Sequence, residues 1–284
     1  MQIEQITIPA YDGYSLAATC YQPENNPTNT VVLINSATAV PQRYYKYFAK
    51  FMMAQGYTAI TYDYRGIAGS KPNSLRGFAA DARDWALQDM AGVIEWIQQT
   101  IRPKRLFMVG HSYGGQTAGL LPNHDKIDAM VTVSSQSGYW RLQGGNQKLP
   151  VLLHVYLTLP LLSRLFGYMP WSKISPAEDL PKGVALEWSR WCRQPGYLLD
   201  DETLPLARYQ QFRAPVLAYS IADDDWGTAR SVDAMMRAYP NLTRRHIVPQ
   251  EHGLTSLGHF GFFRPKSKQL WPDVVEWLEQ AAPL

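Results

Sequence analysis

Short apolar runs alternate with longer amphipathic segments along most of the chain. The apolar runs are bounded by turn-forming residues and predict strands at Ile3–Ile8, Tyr14–Tyr21, Thr30–Ile34, Thr58–Tyr62, Arg105–Val109, Ala129–Val133, Val216–Ser220 and Arg244–Val248. Helical periodicity predicts helices at Tyr44–Gln55, Asp81–Gln99, Tyr113–Leu121, Ala229–Tyr239 and Lys268–Ala281. Asp12 and Gly13 split the first two strands into a hairpin, and the later alternation requires right-handed crossovers. We therefore expect an α/β protein with a mostly parallel, eight-stranded sheet flanked by helices.

The alternation of strands and helices is interrupted once. About 80 residues separate the strand ending near Ser134 from the strand starting at Val216, far more than one connection needs. We expect residues 138–213 to form a cap insertion over the functional site, and residues 1–137 and 214–284 to form the core. The apolar stretch Leu149–Met169 within it contains Arg164 and three nearby prolines, so we expect a pair of helices rather than a membrane span.

Residues 110–115 read Gly-His-Ser-Tyr-Gly-Gly and follow an apolar run directly. This Gly-x-Ser-x-Gly pattern, placed between a predicted strand and a predicted helix, indicates a sharp turn with Ser112 at its apex. Glycines allow the strand and the helix to approach closely, and the turn pushes the serine oxygen outward. Ser112 is therefore the candidate nucleophile, and it requires a base and an acid that orients the base.

The candidate acid lies at the end of a later strand. The run 214–221 is followed by Asp223, Asp224 and Asp225, and open α/β sheets place functional groups at the carboxyl ends of their strands. Counting along the strand favours Asp224 as the orienting acid, with Asp223 as the alternative. Asp225 together with Thr228 is placed to cap the next helix.

The candidate base is one of six histidines. In proteins with this serine turn the chain order is Ser, then Asp or Glu, then His, so only the downstream histidines qualify. His246 falls in a predicted strand, which leaves His252 and His259 in the loop 249–263. His259 stands in a Gly-His-Phe sequence typical of the loop that carries the base, and we favour it over His252.

The chain resembles α/β-hydrolase-fold serine hydrolases at the serine turn 110–114, the acid loop 223–225 and the base loop 258–260. Several short stretches of sequence resemble those of a bacterial group of predicted α/β hydrolases: 40–45, 137–140, 188–192 and 258–264. That group is related to the serine aminopeptidase and monoacylglycerol lipase branch. The resemblance implies the α/β-hydrolase fold with a helical cap and a catalytic triad of Ser112, Asp224 and His259.

An oxyanion hole needs two backbone donors. Tyr113, the residue after the nucleophile, supplies one, and the loop after the third strand supplies the other. Relatives often carry His-Gly at the start of this loop, where the present chain has Asn35 and Ser36, so Ala37 is expected to donate and Thr38 is the next choice. The segment 63–70 departs from the pattern of many relatives by one extra residue, and we expect Asp63 and Arg65 to pair there as a structural brace.

Composition narrows the functional classes. The chain has 284 residues, with 27 basic and 24 acidic side chains and no basic run, so nucleic acid is not an expected partner. Two cysteines, Cys20 and Cys192, indicate neither a disulfide framework nor a metal site, and the first residues do not resemble a signal peptide. We expect a cytoplasmic protein that needs no cofactor and acts on a small apolar acyl or ester substrate. Contact of the helices in 149–169 with a membrane surface is the less favoured alternative.

Three functions are compatible with these residues. The first is hydrolysis of a carboxylic ester or related acyl compound through an acyl-enzyme on Ser112. The second keeps the triad but is an acyltransferase or a peptidase. The third is a ligand-binding protein without catalysis on the same fold.

Overall fold

The computed structural model describes residues 1–283, apart from the side chain of Asn146. Its strands are β1 (Gln2–Pro9), β2 (Ser15–Gln22), β3 (Thr30–Asn35), β4 (Thr58–Tyr62), β5 (Arg105–His111), β6 (Ala129–Val133), β7 (Tyr168–Met169), β8 (Leu180–Pro181), β9 (Val216–Ile221) and β10 (Leu242–Ile247). Its helices are Lys46–Ala54, 82–101, Tyr113–Gln116, Lys148–Phe166, Lys182–Cys192, Ala207–Gln211, Ala229–Met236 and Trp271–Ala281. Short 3-10 turns lie between them.

Eight strands form one sheet in the order β1-β2-β4-β3-β5-β6-β9-β10. β2 pairs antiparallel with β1 and β4, and the other neighbouring pairs are parallel. The central strands β3 to β6 and β9 are buried along their whole length. Burial on both faces explains why these strands read as continuous apolar runs. The predicted α/β class, with a mostly parallel sheet flanked by helices, is confirmed.

The sheet order determines where the functional loops meet. β5, β6 and β9 are consecutive neighbours and run parallel, so their carboxyl ends lie at one edge of the sheet. Ser112 follows β5, Gln136 lies shortly after β6, and Asp224 follows β9. Three segments distant in sequence are therefore brought to one place.

The helix after Ser112 is shorter than its sequence predicts. It spans Tyr113–Gln116 and continues only as a 3-10 turn, Ala118–Leu120, rather than as one helix to Leu121. The Tyr209 hydroxyl donates to the Gln116 carbonyl at 2.6 Å, and the Gly119 N–H donates to the Tyr239 hydroxyl at 3.0 Å. These side chains take backbone groups that a continued helix would pair internally, so the helix ends.

Between β6 and β9 the expected pair of helices is a single helix, Lys148–Phe166. Pro160 does not break it because a wider π-type segment, His154–Thr158, lies just before that proline and accommodates the missing N–H. The helix ends at Gly167, which has a left-handed φ of 80°. A short hairpin of β7 and β8 and the helix Lys182–Cys192 follow.

The expected pair of Asp63 and Arg65 does not form. Arg65 Nε lies 2.7 Å from a carboxylate oxygen of the buried Asp89, and its Nη1 lies 2.7 Å from Asp12. Asp63 instead accepts the Gln42 N–H at 2.7 Å and the Gly69 N–H at 3.1 Å. Adjacent backbone N–H groups satisfy Asp63, and Arg65 pairs with carboxylates that come from other parts of the chain.

Candidate active site

Ser112 lies at the turn between β5 and the helix Tyr113–Gln116, as the glycine pattern predicts. Its φ is 50° and its ψ is −116°, values that residues with a side chain rarely adopt. The Ser112 N–H donates to the Val133 carbonyl at the end of β6 at 2.9 Å, which anchors the turn to the neighbouring strand. The strained backbone is therefore held in place by the sheet.

The glycines of the turn are required by close packing. A Cβ on Gly114 would lie 2.4 Å from the Asn35 carbonyl oxygen, and a Cβ on Gly115 would lie 2.3 Å from Ser135 Oγ. Neither distance is possible for real atoms, so the loops after β3 and β6 approach the helix only because both positions are glycine.

The loops after β9 and β10 bring Asp224 and His259 together. His259 Nδ1 lies 2.8 Å from Asp224 Oδ2, and both side chains are buried. The other carboxylate oxygen of Asp224 accepts the N–H groups of Trp226 at 2.9 Å and Gly227 at 2.6 Å. Burial raises the pKa of Asp224, but the adjacent imidazole and these hydrogen bonds outweigh it and hold the pKa below its ordinary value. Asp224 is therefore an ionised acceptor for the His259 ring.

The two neighbouring aspartates have different contacts. The carboxylate of Asp223 accepts the Leu257 and Gly258 N–H groups, each at 2.9 Å, so it fixes the backbone just before His259. The Asp225 carbonyl accepts the Gly144 N–H at 2.8 Å. Thr228 alone caps the following helix, through a hydrogen bond from the Ser231 N–H. Of the three carboxylates, the one in contact with the His259 ring is that of Asp224.

The Ser112 hydroxyl points to an amide rather than to the histidine. Among the hydrogen bonds of residues 1–283, Ser112 Oγ donates to Gln136 Oε1 at 3.3 Å. Gln136 is held by its own carbonyl, which accepts from Gln116 Nε2 at 2.7 Å, and Gln116 Oε1 accepts from the Tyr197 hydroxyl at 3.1 Å. Sequence reasoning did not identify Gln136, because no motif marks a glutamine three residues after a strand.

A buried hydrogen-bonded chain crosses behind the site. The Ala37 N–H donates to the Tyr45 hydroxyl at 2.9 Å, and that hydroxyl lies 2.8 Å from His111 Nδ1. His111 Nε2 lies 2.9 Å from the His259 carbonyl, so Nε2 carries the proton and Nδ1 accepts from Tyr45. Burial, with a contribution from His259, lowers the pKa of His111 to about 3. A neutral His111 therefore connects the loop after β3 to the loop of the base.

The hydrogen bonds from Ala37 through Tyr45 to His111 change which N–H groups can be expected to form the oxyanion hole. The Ala37 N–H, expected to face the substrate, is already bonded to Tyr45. The Thr38 N–H, the next choice, makes no hydrogen bond to any residue within 1–283, and Thr38 lines the cavity next to Ser112. Tyr113 is the first residue of its helix, where an N–H has no intrahelical acceptor. Of the expected donors, Tyr113 and Thr38 therefore remain as candidates.

The remaining histidines lie elsewhere. His252, the alternative base, is exposed on the 3-10 turn Pro249–His252. His154 packs against Trp171 with ring centroids 5.2 Å apart, and its buried Nε2 has no partner within the described residues. His154 also forms part of the wall of the cavity described next.

A cavity of about 530 Å³ lies over Ser112 and His259. One wall comes from the loop after β3 and from the residues directly after β6. Another comes from residues 151–197, further along the segment between β6 and β9. The apolar part of the second wall consists of Val151, Val155, Trp171, Trp188, Cys192 and Tyr197. In the part of the chain that the structure describes, no group of three His, Cys, Asp or Glu side chains is arranged to hold a metal ion. The cavity therefore combines an apolar wall with the polar side chains of Ser112, Gln136 and His259 and with others, among them Gln143 and His154.

Solved structures with the same overall fold include three esterases. An esterase of Pyrococcus furiosus, Pf2001, superposes with a TM-score of 0.60 at 13% identity, over 99% of this chain and 93% of that chain. The esterase EaEST of Exiguobacterium antarcticum gives 0.63 at 14% identity, over 97% of this chain and 100% of that one. A thermophilic esterase of Thermogutta terrifontis gives 0.60 at 15% identity, over 99% and 100%. No curated protein matches the sequence.

A family model settles the relationship that these structures indicate. The model of the alpha/beta hydrolase family matches residues 31–267, which include the serine turn, the three aspartates and the loop of His259. The eight-stranded sheet has the strand order and the antiparallel second strand described above. This chain belongs to the alpha/beta hydrolase family and has the α/β-hydrolase fold.

Proposed function

We propose that this protein is a serine hydrolase that cleaves carboxylic esters or related acyl compounds through an acyl-enzyme on Ser112. The observation that carries the proposal is the contact of 2.8 Å between His259 Nδ1 and Asp224, in a cavity shared with Ser112. Because Asp224 occupies Nδ1, the His259 nitrogen left for proton transfer is Nε2. The three esterases of the same fold support ester hydrolysis over other acyl chemistry.

The proposed reaction has two halves. Ser112 Oγ turns from Gln136 to His259, gives its proton to Nε2 and attacks the substrate carbonyl carbon. The N–H groups of Tyr113 and Thr38 stabilise the resulting oxyanion, which collapses and releases the alcohol with the proton from His259. Water then attacks the acyl-enzyme with His259 as base, the acid is released, and Ser112 recovers its proton.

We also propose that residues 138–213 form a cap that selects the acyl group, on a core of residues 1–137 and 214–284. The cavity supports this division, because its apolar wall comes from 151–197 while Ser112, Asp224 and His259 lie in the core segments. An apolar wall favours an apolar acyl chain. Membership of the bacterial group related to the serine aminopeptidase and monoacylglycerol lipase branch, and a cytoplasmic location, belong to the same proposal.

Hydrolysis of p-nitrophenyl esters of increasing chain length tests this function. We expect turnover with a preference for chains longer than acetate, and Ser112→Ala should lower kcat by at least on the order of 10³-fold. Ser15→Ala, at an exposed serine, is the matched control and should retain full activity. Trp188→Ala enlarges the cavity wall and should shift the preference to longer chains, while its kcat for acetate changes little.

Three outcomes would overturn the proposal. The first is cleavage of amino-acid arylamides without cleavage of any ester. The second is transfer of the acyl group to an added alcohol in preference to water. The third is esterase activity that survives Ser112→Ala.

A further inference from the structure

The helix Lys148–Phe166 exposes a stripe of leucines to solvent. We call Leu149, Leu153, Leu157, Leu161 and Leu165 the leucine face. Their spacing of four residues places them on one side of the helix, and they are between 47% and 69% exposed. Val151, Val155, Leu159 and Ser163, also spaced by four, are buried on the opposite side. Surface helices normally present polar residues outward, so this helix is apolar on the side where water is expected.

The leucine face is not the lipid-facing part of a membrane span. The helix is long and apolar enough to cross a membrane by length and composition, and only 22% of its most apolar window is buried. Its inner side, however, packs on the protein, and Ser189 Oγ donates to the Val155 carbonyl at 2.6 Å. The same side contributes Val151, His154 and Val155 to the cavity wall. The helix is thus half embedded in the protein and half uncovered.

The charged residues of the chain segment that carries the leucine face are all basic. Between Asp128 and Glu178 the chain has no acidic residue, whereas it has Arg141, Lys148, Arg164 and Lys173. All four cationic residues are exposed. A carboxylate from another segment, that of Asp225, lies close to Gly145, just before the helix begins. The leucine face therefore lies within a basic stretch of chain.

We propose that the leucine face docks on the surface of an anionic lipid bilayer. An apolar helix face flanked by cations is the pattern that buries its side chains among acyl chains while Lys and Arg contact lipid phosphates. A second copy of this chain is a poorer occupant, because symmetric pairing would bring Lys148 and Arg164 of both copies together with no carboxylate of this segment between them. Sequence reasoning kept membrane contact of this segment as the less favoured alternative, because the sequence does not show which side of the helix packs on the protein.

Two further exposed apolar side chains lie at or next to the cavity. Ile174 is 61% exposed and precedes Ser175, a cavity-lining residue, and Phe260 lines the cavity and is 47% exposed. Because the helix that carries the leucine face also lines the cavity through Val151, His154 and Val155, docking would bring the cavity near the lipid. The docking proposal goes beyond the proposed hydrolysis and does not depend on it.

Co-sedimentation with lipid vesicles tests the proposal, with the Ser112→Ala protein so that no lipid is consumed. We expect binding to phosphatidylcholine vesicles that contain phosphatidylglycerol, weakened by high salt, and much weaker binding to phosphatidylcholine alone. Leu157→Glu with Leu161→Glu should lower the partition coefficient at least ten-fold, and Arg164→Gln should lower it about five-fold. Ile3→Glu with Tyr11→Glu is the matched control, at exposed apolar residues outside the helix, and should bind as the parent does.

The proposal is overturned if the parent protein does not bind the anionic vesicles, or if the control pair weakens binding as much as the leucine pair. It is also overturned if the protein forms a dimer that Leu157→Glu dissociates and the vesicles remain unbound. Circular dichroism of each variant shows whether it is folded. Hydrolysis of a soluble ester, measured with the same substitutions in a protein that keeps Ser112, shows whether the active site is retained. If the parent protein does not bind the anionic vesicles but hydrolyses the soluble ester, docking is rejected and the proposed hydrolysis is not.

Discussion

At the scale of single residues, Ser112, the proposed nucleophile, has a strained backbone. Its φ of 50° costs a non-glycine residue on the order of 1–3 kcal/mol, which the surrounding structure must offset. The hydrogen bond from its N–H to Val133 and the glycine packing supply that support. The strained turn holds the hydroxyl next to Gln136 and the cavity.

The three aspartates after β9 make different contacts, and this leads to a prediction that compares Asp224 with Asp223. Asp224→Asn should lower kcat on the order of 10³- to 10⁴-fold, because the amide no longer orients the His259 imidazolium or stabilises its charge. Asp223→Asn keeps one acceptor oxygen for the Leu257 and Gly258 N–H groups, so it should lower thermal stability more than kcat. Steady-state kinetics and melting curves of both variants provide the measurement.

A reversed order, with Asp223→Asn the more damaging change for kcat, would contradict this assignment. Asp233→Asn is a suitable control, because Asp233 is exposed and pairs with Arg244 on the surface. It should leave kcat unchanged, since exposed ion pairs contribute little.

At the scale of elements, the chain from Ala37 through Tyr45 and His111 joins four segments that are distant in sequence. The 3-10 turn Gln42–Tyr45 supplies the hydroxyl, β5 supplies the imidazole, and the loops after β3 and β10 supply the ends. Its hydrogen bonds need His111 neutral, since the imidazolium form has no acceptor for the Tyr45 hydroxyl. These hydrogen bonds therefore predict that the folded protein loses stability at acidic pH.

Stability should fall as the pH drops below about 6.5, partly because of His111. Burial lowers the pKa of His111 to about 3, so between these pH values the unfolded chain binds a proton there that the folded chain does not. The stabilisation is complete above the unfolded pKa and is lost as the pH falls toward the folded one. At pH 5 the loss amounts to about 2 kcal/mol.

Urea denaturation at pH 7 and pH 5 measures this loss. In His111→Asn the fall in unfolding free energy between the two pH values should be smaller by about 2 kcal/mol. His252→Asn is the control, because that ring is exposed in the folded protein. An unchanged pH dependence in His111→Asn would contradict the role of the buried chain.

Two elements differ from what their sequence patterns predict, one because of distant residues and one because of a change in helix type within it. The helix after Ser112 ends early because Tyr209 and Tyr239, far along the chain, bond to its backbone. The expected helix pair in 148–166 is one helix because a π-type segment accommodates Pro160. Local periodicity predicts where an element forms, but contacts from distant residues determine how far it extends.

At the scale of the whole molecule, strand positions were predictable because each central strand is an apolar run buried by helices on both faces. The candidate triad was predictable because Ser112, Asp224 and His259 each follow a strand in a fixed order. The second oxyanion donor was not, because the hydrogen bond from Ala37 to Tyr45 joins two different elements. Gln136 was missed for the same reason, since it acts through a contact with Ser112 and not through a motif.

The central claim is that the alpha/beta hydrolase fold here carries a working nucleophile at Ser112. A fluorophosphonate reacts covalently with an activated serine, so intact-mass and peptide-mapping mass spectrometry of the treated protein test the claim directly. We predict one adduct per chain, located on Ser112, absent in Ser112→Ala and strongly slowed in Asp224→Asn. A protein that forms no adduct, or forms it at a different residue, would contradict the account.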